Sequence, residues 1–209
     1  MADRIIKIIT PATSYDLMTL DELKVSMSIS PTDSSQDALL QQYITRFSDV
    51  VARTCNRTFG YETVSETWRC PMSSSRLFLS HYPVDETTIT KLESPRGTAV
   101  DPSNYEVEPI SGKIELLQGF SQPVDVIYSG GYNLPNEAPN ALKEATELMI
   151  REAMALAQRL LNSGIRMIGH KEARVMFFDP LALLMKTQGF GWATTSANAL
   201  LMHYTRFEA

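Results

Sequence analysis

Three stretches of the chain repeat apolar residues every three or four positions, the spacing that gives a helix one apolar face. The first, at residues 19–27, opens with a capping box in which Thr19 and Glu22 satisfy each other's backbone N–H groups. The second predicts a helix over roughly 35–56, and the third predicts a longer helix over about 139–162. Their apolar stripes are Leu40, Ile44, Phe47, Val51 and Cys55 in the second, and Leu142, Ala145, Met149, Ala153, Leu156 and Leu160 in the third.

Between the second and third helices the pattern changes to short runs rich in β-branched and aromatic residues, separated by prolines and glycines. The six runs are ETVSETWRC, SRLFLS, TTITKL, NYEVEP, KIELLQ and PVDVIYSG. Runs of this kind predict an antiparallel sheet. The alternation of polar and apolar residues at 105–107 and 113–116 indicates that one face of the sheet is buried and the other is exposed to solvent.

These elements predict an α+β chain: a helical bundle, with two N-terminal helices and one long helix, an inserted antiparallel β-sheet region and an extended C-terminal tail. The expected parts of this single domain are an N-terminal helical part at 1–60, the β insertion at 61–132, the long core helix at 133–164 and the tail at 165–209. The tail is rich in large apolar residues, which is expected of a segment that docks on a partner. The alternative is a tail packed back onto its own domain.

Composition excludes several classes of function. The net charge of −5 argues against a protein that wraps nucleic acid, because such binding depends on phosphate neutralisation by Lys and Arg. No apolar run approaches the length of a membrane span, and the first residues do not have the pattern of a secretory signal. The two cysteines, Cys55 and Cys70, do not make a disulfide framework, so we expect synthesis in a cytoplasm.

The last of the strand-like runs ends in two glycines, about ten residues before the third helix. A glycine loop that binds phosphate leads directly into a helix, whereas here Tyr132 and Pro135 intervene, and neither a Gly-Lys-Ser/Thr nor a third glycine at the dinucleotide spacing follows. We therefore interpret Gly130, Gly131, Tyr132 and Pro135 as a sheet-exit turn that needs a positive φ.

The sequence predicts no catalytic site, no metal site and no cofactor. His81, His170 and His203 are far apart, and none has a second ligand at a recognised metal spacing. His81 lies beside Pro83 in a turn, where an exposed imidazole is the ordinary expectation. Cys55 belongs to an apolar stripe, which favours a core residue over a nucleophile. No nucleophile elbow is present.

The order of the motifs is more informative than any one of them. The N-terminal motifs are LMTLDELKVSM at 17–27, the segment 33–40 and VVARTCNRTF at 50–59; the later ones are YPV at 82–84, YEV at 105–107, VIY at 126–128 running into Gly131, Tyr132 and Pro135, and ALKEA at 141–145. This series resembles the head–tail connector (adaptor) proteins of tailed phages, a family also found in phage-like gene transfer agents. The resemblance covers roughly residues 15–163, and the tail more loosely.

What the resemblance implies is a structural, non-enzymatic virion protein of the neck, made in the bacterial host cytoplasm. Such adaptors form a twelve-fold ring that joins the portal protein to the stopper or tail-completion protein and surrounds a channel through which DNA passes without specific binding. The acidic composition is compatible with such a channel. The C-terminal segment reaches the portal in such proteins, which implies portal contacts by Leu200, Leu201, Tyr204 and Arg206.

Two other functions stay open at this point. The strand-like region carries Trp68, Tyr82 and Tyr105, which would give a carbohydrate- or protein-binding module if they formed one exposed aromatic face. A hydrolase built around His81 or His170 is the other alternative. Binding to a glycan array would favour the first, and an activity lost on His→Ala substitution would favour the second.

Overall fold

The computed structural model describes residues 3–69, 75–84, 86–161, 167–170, 173–176 and 192–206. The chain divides into two compact units. The β unit consists of Met1–Asp16, Asn56–Ala138 and Arg206–Ala209, and the helical unit consists of Leu17–Cys55 and Pro139–Thr205.

The β unit contains two antiparallel sheets. Its strands are β1 (Asp3–Thr10), β2 (Glu62–Arg69), β3 (Arg76–Phe78), β4 (Lys91–Glu93), β5 (Tyr105–Glu108), β6 (Lys113–Leu116) and β7 (Val124–Gly130), with short 3-10 turns at Glu86–Thr88 and Pro102–Asn104. One sheet has the order β1-β2-β7-β4 and the other has the order β3-β6-β5. In the first sheet, Glu66 of β2 lies opposite Ile6 of β1 and Val126 of β7, which fixes the register of its three long strands.

One hydrophobic core is shared by both sheets of the β unit. It consists of Val64, Leu77, Leu79, Val84, Leu92, Val107, Ile114, Leu116, Phe120, Val124, Val126 and Tyr128. Inward-facing residues alternate with outward-facing ones along β6, where Ile114 and Leu116 are buried and Lys113 and Glu115 are half-buried. The predicted alternation in this strand is thereby confirmed.

The helical unit contains α1 (Leu20–Ser26), α2 (Asp37–Thr54), α3 (Asn140–Leu161) and α4 (Trp192–Leu201). It also contains the strands β8 (Met167–His170) and β9 (Ala173–Met176), which pair as an antiparallel hairpin, and a 3-10 turn at Met202–Tyr204. The capping box predicted at Thr19 and Glu22 begins α1. All five residues of the predicted α2 stripe are buried. None of the described helices has the length and apolar character needed to cross a bilayer.

The four-residue spacing along α3 predicts the ion pairs Lys143–Glu147 and Glu147–Arg151, and the structure contains the second. Arg151 Nε lies 2.7 Å from Glu147 Oε1 on the next turn, as expected of residues four apart. Lys143 Nζ lies instead 2.5 Å from Glu22 Oε1, in the first turn of α1. The same carboxylate accepts from the Thr19 backbone N–H, so Glu22 caps α1 and also joins it to α3.

The predicted fold class, a helical bundle with an inserted β region and a C-terminal tail, was wrong. The chain is a mixed α/β fold with four described helices, of which α3 is the longest at 22 residues, and antiparallel sheets with a core of their own. The physical reason is β1, which the sequence analysis did not predict. Its hydrogen bonds join residues that precede α1 to β2, so the sheet begins before the first helix.

Candidate functional site

The four residues of the predicted sheet-exit turn lie together at the end of β7. This strand ends at Gly130, and Gly131 follows with φ +110°. A Cβ on Gly131 would lie 2.2 Å from Gly60 O, and one on Gly130 would lie 2.4 Å from His81 O. Two other segments of the chain therefore pass so close to this turn that only glycine fits.

The backbone N–H groups of the turn are used within the β unit. Gly131 N donates to Pro83 O at 2.9 Å, and Tyr132 N donates to Phe59 O at 2.8 Å. Tyr61 N in turn donates to Tyr132 O at 2.8 Å. A phosphate-binding loop needs such N–H groups to point at the anion. Here they hold three crossing segments together, so the turn has the geometry of a structural junction.

The inner face of β2 carries two glutamates. Strand alternation places Glu62, Val64 and Glu66 on one face, and all three are buried. Val64 belongs to the shared hydrophobic core, so both carboxyl groups border apolar residues. A buried carboxyl group is costly without hydrogen bonds, and each of these two has a set of partners of its own.

Glu66 is bound by groups from both sheets. The hydroxyl of Tyr128, on β7, donates to Glu66 Oε1, and Ser80 N donates to the same oxygen at 2.9 Å. Tyr128 Oη also accepts from Ser80 N at 3.1 Å and from His81 N at 3.0 Å. Burial, together with the nearby Glu66 carboxylate, raises the pKa of Tyr128, so its hydroxyl keeps the proton that it donates.

Glu62 is bound by a histidine and a tyrosine. His81 Nε2 lies 2.9 Å from Glu62 Oε2, and Tyr15 Oη donates to Glu62 Oε1 at 2.5 Å. Burial lowers the pKa of the His81 imidazole, although the Glu62 carboxylate acts in the opposite direction. The imidazole is therefore neutral at pH 7, and its Nε2 carries the proton donated to Glu62.

We call Glu62, Glu66, His81 and Tyr128, with the half-exposed Tyr15, the buried polar cluster. The sequence does not predict this cluster, and the expectation that His81 is exposed was wrong, since His81 is 5% exposed. The signal available in the sequence was the i, i+2, i+4 placement of Glu62 and Glu66 around Val64. That pattern alone does not say which face of the strand is buried.

The cluster joins elements of the β unit and is closed to a substrate. Its two glutamates and Tyr128 are at most 1% exposed. In the ranges that the structure describes, no group of three His, Cys, Asp or Glu side chains is arranged to hold a metal ion. His170, the other histidine considered for hydrolysis, has no described side chain.

The four residues predicted to contact a portal protein differ in their exposure. Leu200 and Tyr204 are half-buried, whereas Leu201 is 1% exposed and its backbone oxygen lies 4.0 Å from Cys55 Sγ. Leu201 and Ala197 form the buried side of α4, which packs on α3. Leu201 can reach a partner only if α4 leaves this position.

Arg206, the fourth of these residues, belongs to the β unit. Its Nη2 donates to Phe78 O at 3.3 Å, at the end of β3. Burial, followed by the positive charge of Arg4, lowers the pKa of Arg206, while the Glu66 carboxylate opposes that shift. The chain thus returns to the β unit after the 3-10 turn and places a cation near the buried polar cluster.

The aromatic residues considered for carbohydrate binding pack against the core of the β unit. Trp68, Tyr82 and Tyr105 are each partly buried there. Arg57 covers the Tyr82 ring, with Cζ 3.5 Å from the centroid, and Arg4 lies 5.2 Å from the centroid of the Trp68 ring. The three rings do not form one exposed aromatic face, so the structure does not support the binding-module interpretation.

Comparison of folds shows similarity to chains of gene transfer agent necks. A chain from the neck of a native gene transfer agent particle, computed with C12 symmetry, has a TM-score of 0.54 and 16% identity, covering 98% of this chain and 97% of that one. A chain from the neck of an empty particle, computed with C6 symmetry, has a TM-score of 0.53 at the same identity and coverage. No curated protein sequence matches the chain.

The sequence itself defines the family. The model of the head completion protein family matches residues 16–151, which is more than half of the chain. The chain belongs to the head completion protein family. The predicted relationship to head–tail connector proteins is confirmed.

Substitution of Gly131 tests the turn. Gly131→Ala combines a strained φ with a clash against the Gly60 backbone, so we expect it to lower the free energy of unfolding by about 3 kcal/mol. Gly97→Ala is the matched control, because Gly97 has φ +89° with open space around it. This substitution should lower the free energy of unfolding by only about 1 kcal/mol. Urea unfolding measures both. Equal losses would contradict the close approach at Gly131.

Removing one hydroxyl tests the buried polar cluster. Tyr128→Phe leaves Glu66 and two backbone N–H groups without this partner in the core, so we expect a loss of about 2–4 kcal/mol in unfolding free energy. Tyr15→Phe removes a hydroxyl that also binds a glutamate of β2, but from a residue that is 51% exposed. We expect about 1 kcal/mol there. A smaller loss for Tyr128→Phe than for Tyr15→Phe would refute the assignment.

The lowered pKa of His81 predicts acid sensitivity. The unfolded chain binds a proton at His81 below about pH 6.5, whereas the folded chain resists protonation until a lower pH. Stability from this group is thus complete above about pH 6.5 and decreases as the pH falls below that value. His81→Gln should flatten the pH dependence of the unfolding free energy over that range. An unchanged slope in His81→Gln would contradict the pKa direction.

Proposed function

We propose that this protein is a structural, non-enzymatic component of the virion neck. It forms a ring that joins the portal to the stopper or tail-completion protein and encloses the DNA channel. Membership of the head completion protein family is the observation that carries this proposal. The likeness to neck chains over 98% of the sequence, in particles computed with C12 and C6 symmetry, supports a cyclic assembly.

The distribution of charge also supports a channel function. The β unit contains 9 Lys and Arg against 14 Asp and Glu, which gives −5, whereas the helical unit contains 10 of each. The whole net charge of the chain therefore belongs to the β unit. An acidic surface repels phosphates, so DNA can pass it without binding.

The C-terminal segment is the proposed portal-docking element. Leu200, Leu201 and Tyr204 would fill apolar grooves of the portal, and Arg206 would bind carboxylates or backbone carbonyls. Because Leu201 is buried in the helical unit, deletion of the segment would also expose apolar residues of that unit. Substitutions at the half-buried Leu200 and Tyr204 separate docking from stability better than a truncation does.

The first experiment mixes the purified chain with the portal protein of the same particle and images the product by negative-stain electron microscopy. We expect rings of twelve copies seated on the portal. A chain that does not bind the portal, or that binds it without forming a ring, would contradict the proposed function.

A second experiment tests the docking residues. Leu200→Ser should weaken portal binding at least tenfold, because truncating a central apolar contact costs more than about 1.4 kcal/mol. Leu117→Ser is the matched control, since Leu117 is 71% exposed in a loop of the β unit and should bind as the wild type does. Surface plasmon resonance on immobilised portal measures both. Equal affinities would remove Leu200 from the docking surface.

A further inference from the structure

β1 is an edge strand with an unusual amount of exposed apolar surface. Ile5, Ile6, Ile8 and Ile9 are between 37% and 56% exposed. In the described ranges β1 pairs only with β2, so its outer edge presents unpaired backbone groups. An exposed apolar edge of this kind promotes pairing with another chain, and proteins normally shorten, charge or cover such edges.

The other edge of the same sheet is covered. Val100 N donates to Leu92 O at 2.9 Å, and Ala99 bridges Glu93, so the chain itself lies along β4. The second sheet ends in β5, whose outer edge pairs with no described strand. The other edge strand of this sheet is β3, where Phe78 O accepts from Arg206 Nη2. We call the outer edges of β1 and β5 the open edges.

The two open edges lie on opposite sides of the β unit. Val84 bridges Gly130 on the side of β7 that also carries β4, because β2 occupies the other side. Val84 N donates to Pro109 O, directly after β5, at 2.9 Å. β5 therefore lies towards β4 and away from β1. A ring requires two different surfaces of one subunit, facing in different directions, and these edges satisfy that condition.

The two edges are also complementary in charge and polarity. β1 carries Arg4 and the exposed Lys7 with one carboxylate, Asp3, whereas β5 carries the exposed Glu106 and Glu108 and no cation of its own. Lys113 Nζ, on β6, lies 3.6 Å from Glu108 Oε2, so Glu106 is the carboxylate on which the contact chiefly depends. Ile110, just after β5, is 83% exposed and can contact the isoleucines of β1. Opposite charges along two open edges favour their pairing and disfavour pairing of either edge with itself.

We propose that β1 of one copy pairs with the β5 edge of the next copy and that this contact closes the ring. This inference rests on the ring assembly proposed above. The partner that binds along the β1 edge is a second copy of this chain. Backbone hydrogen bonds between the two strands supply the attraction common to any strand addition. The isoleucines and the charged side chains fix which edges meet.

Charge reversal tests the contact in the full-length protein on its portal. Lys7→Glu and Glu106→Lys should each raise the concentration needed for ring formation about tenfold, because like charges then face each other. The double variant Lys7→Glu/Glu106→Lys restores opposite charges and should assemble within about threefold of the wild type. The matched control is Lys7→Glu/Glu144→Lys, which has the same net charge but reverses an exposed residue of α3. It should stay as defective as Lys7→Glu.

The outcomes separate this contact from the proposed function. If the wild type forms rings and both single variants assemble as readily as the wild type, the β1–β5 contact is overturned and the neck function stands. Rescue by the matched control as strong as rescue by the charge swap would overturn it as well. A wild type that does not form rings on the portal would overturn both proposals.

A second measurement does not depend on the folding of any charge variant. A photo-crosslinking amino acid at Ile8, a residue that is 56% exposed, should form links between copies at residues 105–110 of the neighbour in assembled rings. Links that map to other segments, or a lack of links between copies, would overturn the β1–β5 contact. Thermal unfolding by circular dichroism confirms that each protein in the comparison is folded.

Discussion

The buried carboxyl group of Glu66 is the constraint on which the β unit depends. It lies on the inner face of β2, where a purely apolar residue would have been the simpler choice, and it needs hydrogen bonds there. Those bonds come from Tyr128 on β7 and from the backbone of Ser80 after β3. Two strands of one sheet and the chain that follows a strand of the other are therefore fixed to one side chain. Apolar contacts alone would permit more sliding between the sheets than these directed bonds do.

The same arrangement determines where the chain can pass after the sheet. His81 follows Ser80, and its backbone oxygen lies against Gly130, while Gly60, just before β2, lies against Gly131. Fixing β2 and the segment after β3 therefore leaves a gap that only two glycines fit. The path of the chain after β7 is therefore set by the buried polar cluster. The two glycines of the turn are explained by this close packing, without any role in phosphate binding or catalysis.

Sequence reasoning succeeded where the signal is local. The capping box at Thr19, the stripe of α2 and the strand-like runs between the helices depend on near neighbours. The structure confirms the capping box and the stripe, and each run contributes residues to a strand, TTITKL only through Lys91 and Leu92. Sequence reasoning did not predict β1, because an eight-residue strand pairs with residues nearly sixty positions away. The burial of Glu62, Glu66 and His81 was missed for the same reason, since strand alternation gives two faces and only tertiary packing selects one. The fold class was wrong because β1 precedes α1 and extends a sheet that belongs to a hydrophobic core of its own.

Ring assembly makes a demand on the subunit that stability alone does not. In a closed ring each subunit repeats the same rotation, so an error in the angle between two contact surfaces accumulates around the circle and prevents closure. If the β1 and β5 edges are the contact surfaces, the angle between them is set by how one sheet of the β unit lies on the other. The position of one sheet on the other is fixed by the hydrogen bonds among Glu66, Tyr128 and the backbone of Ser80 and His81. A buried polar cluster with no catalytic use thus has a physical reason to be present, because it holds two assembly surfaces in a defined orientation.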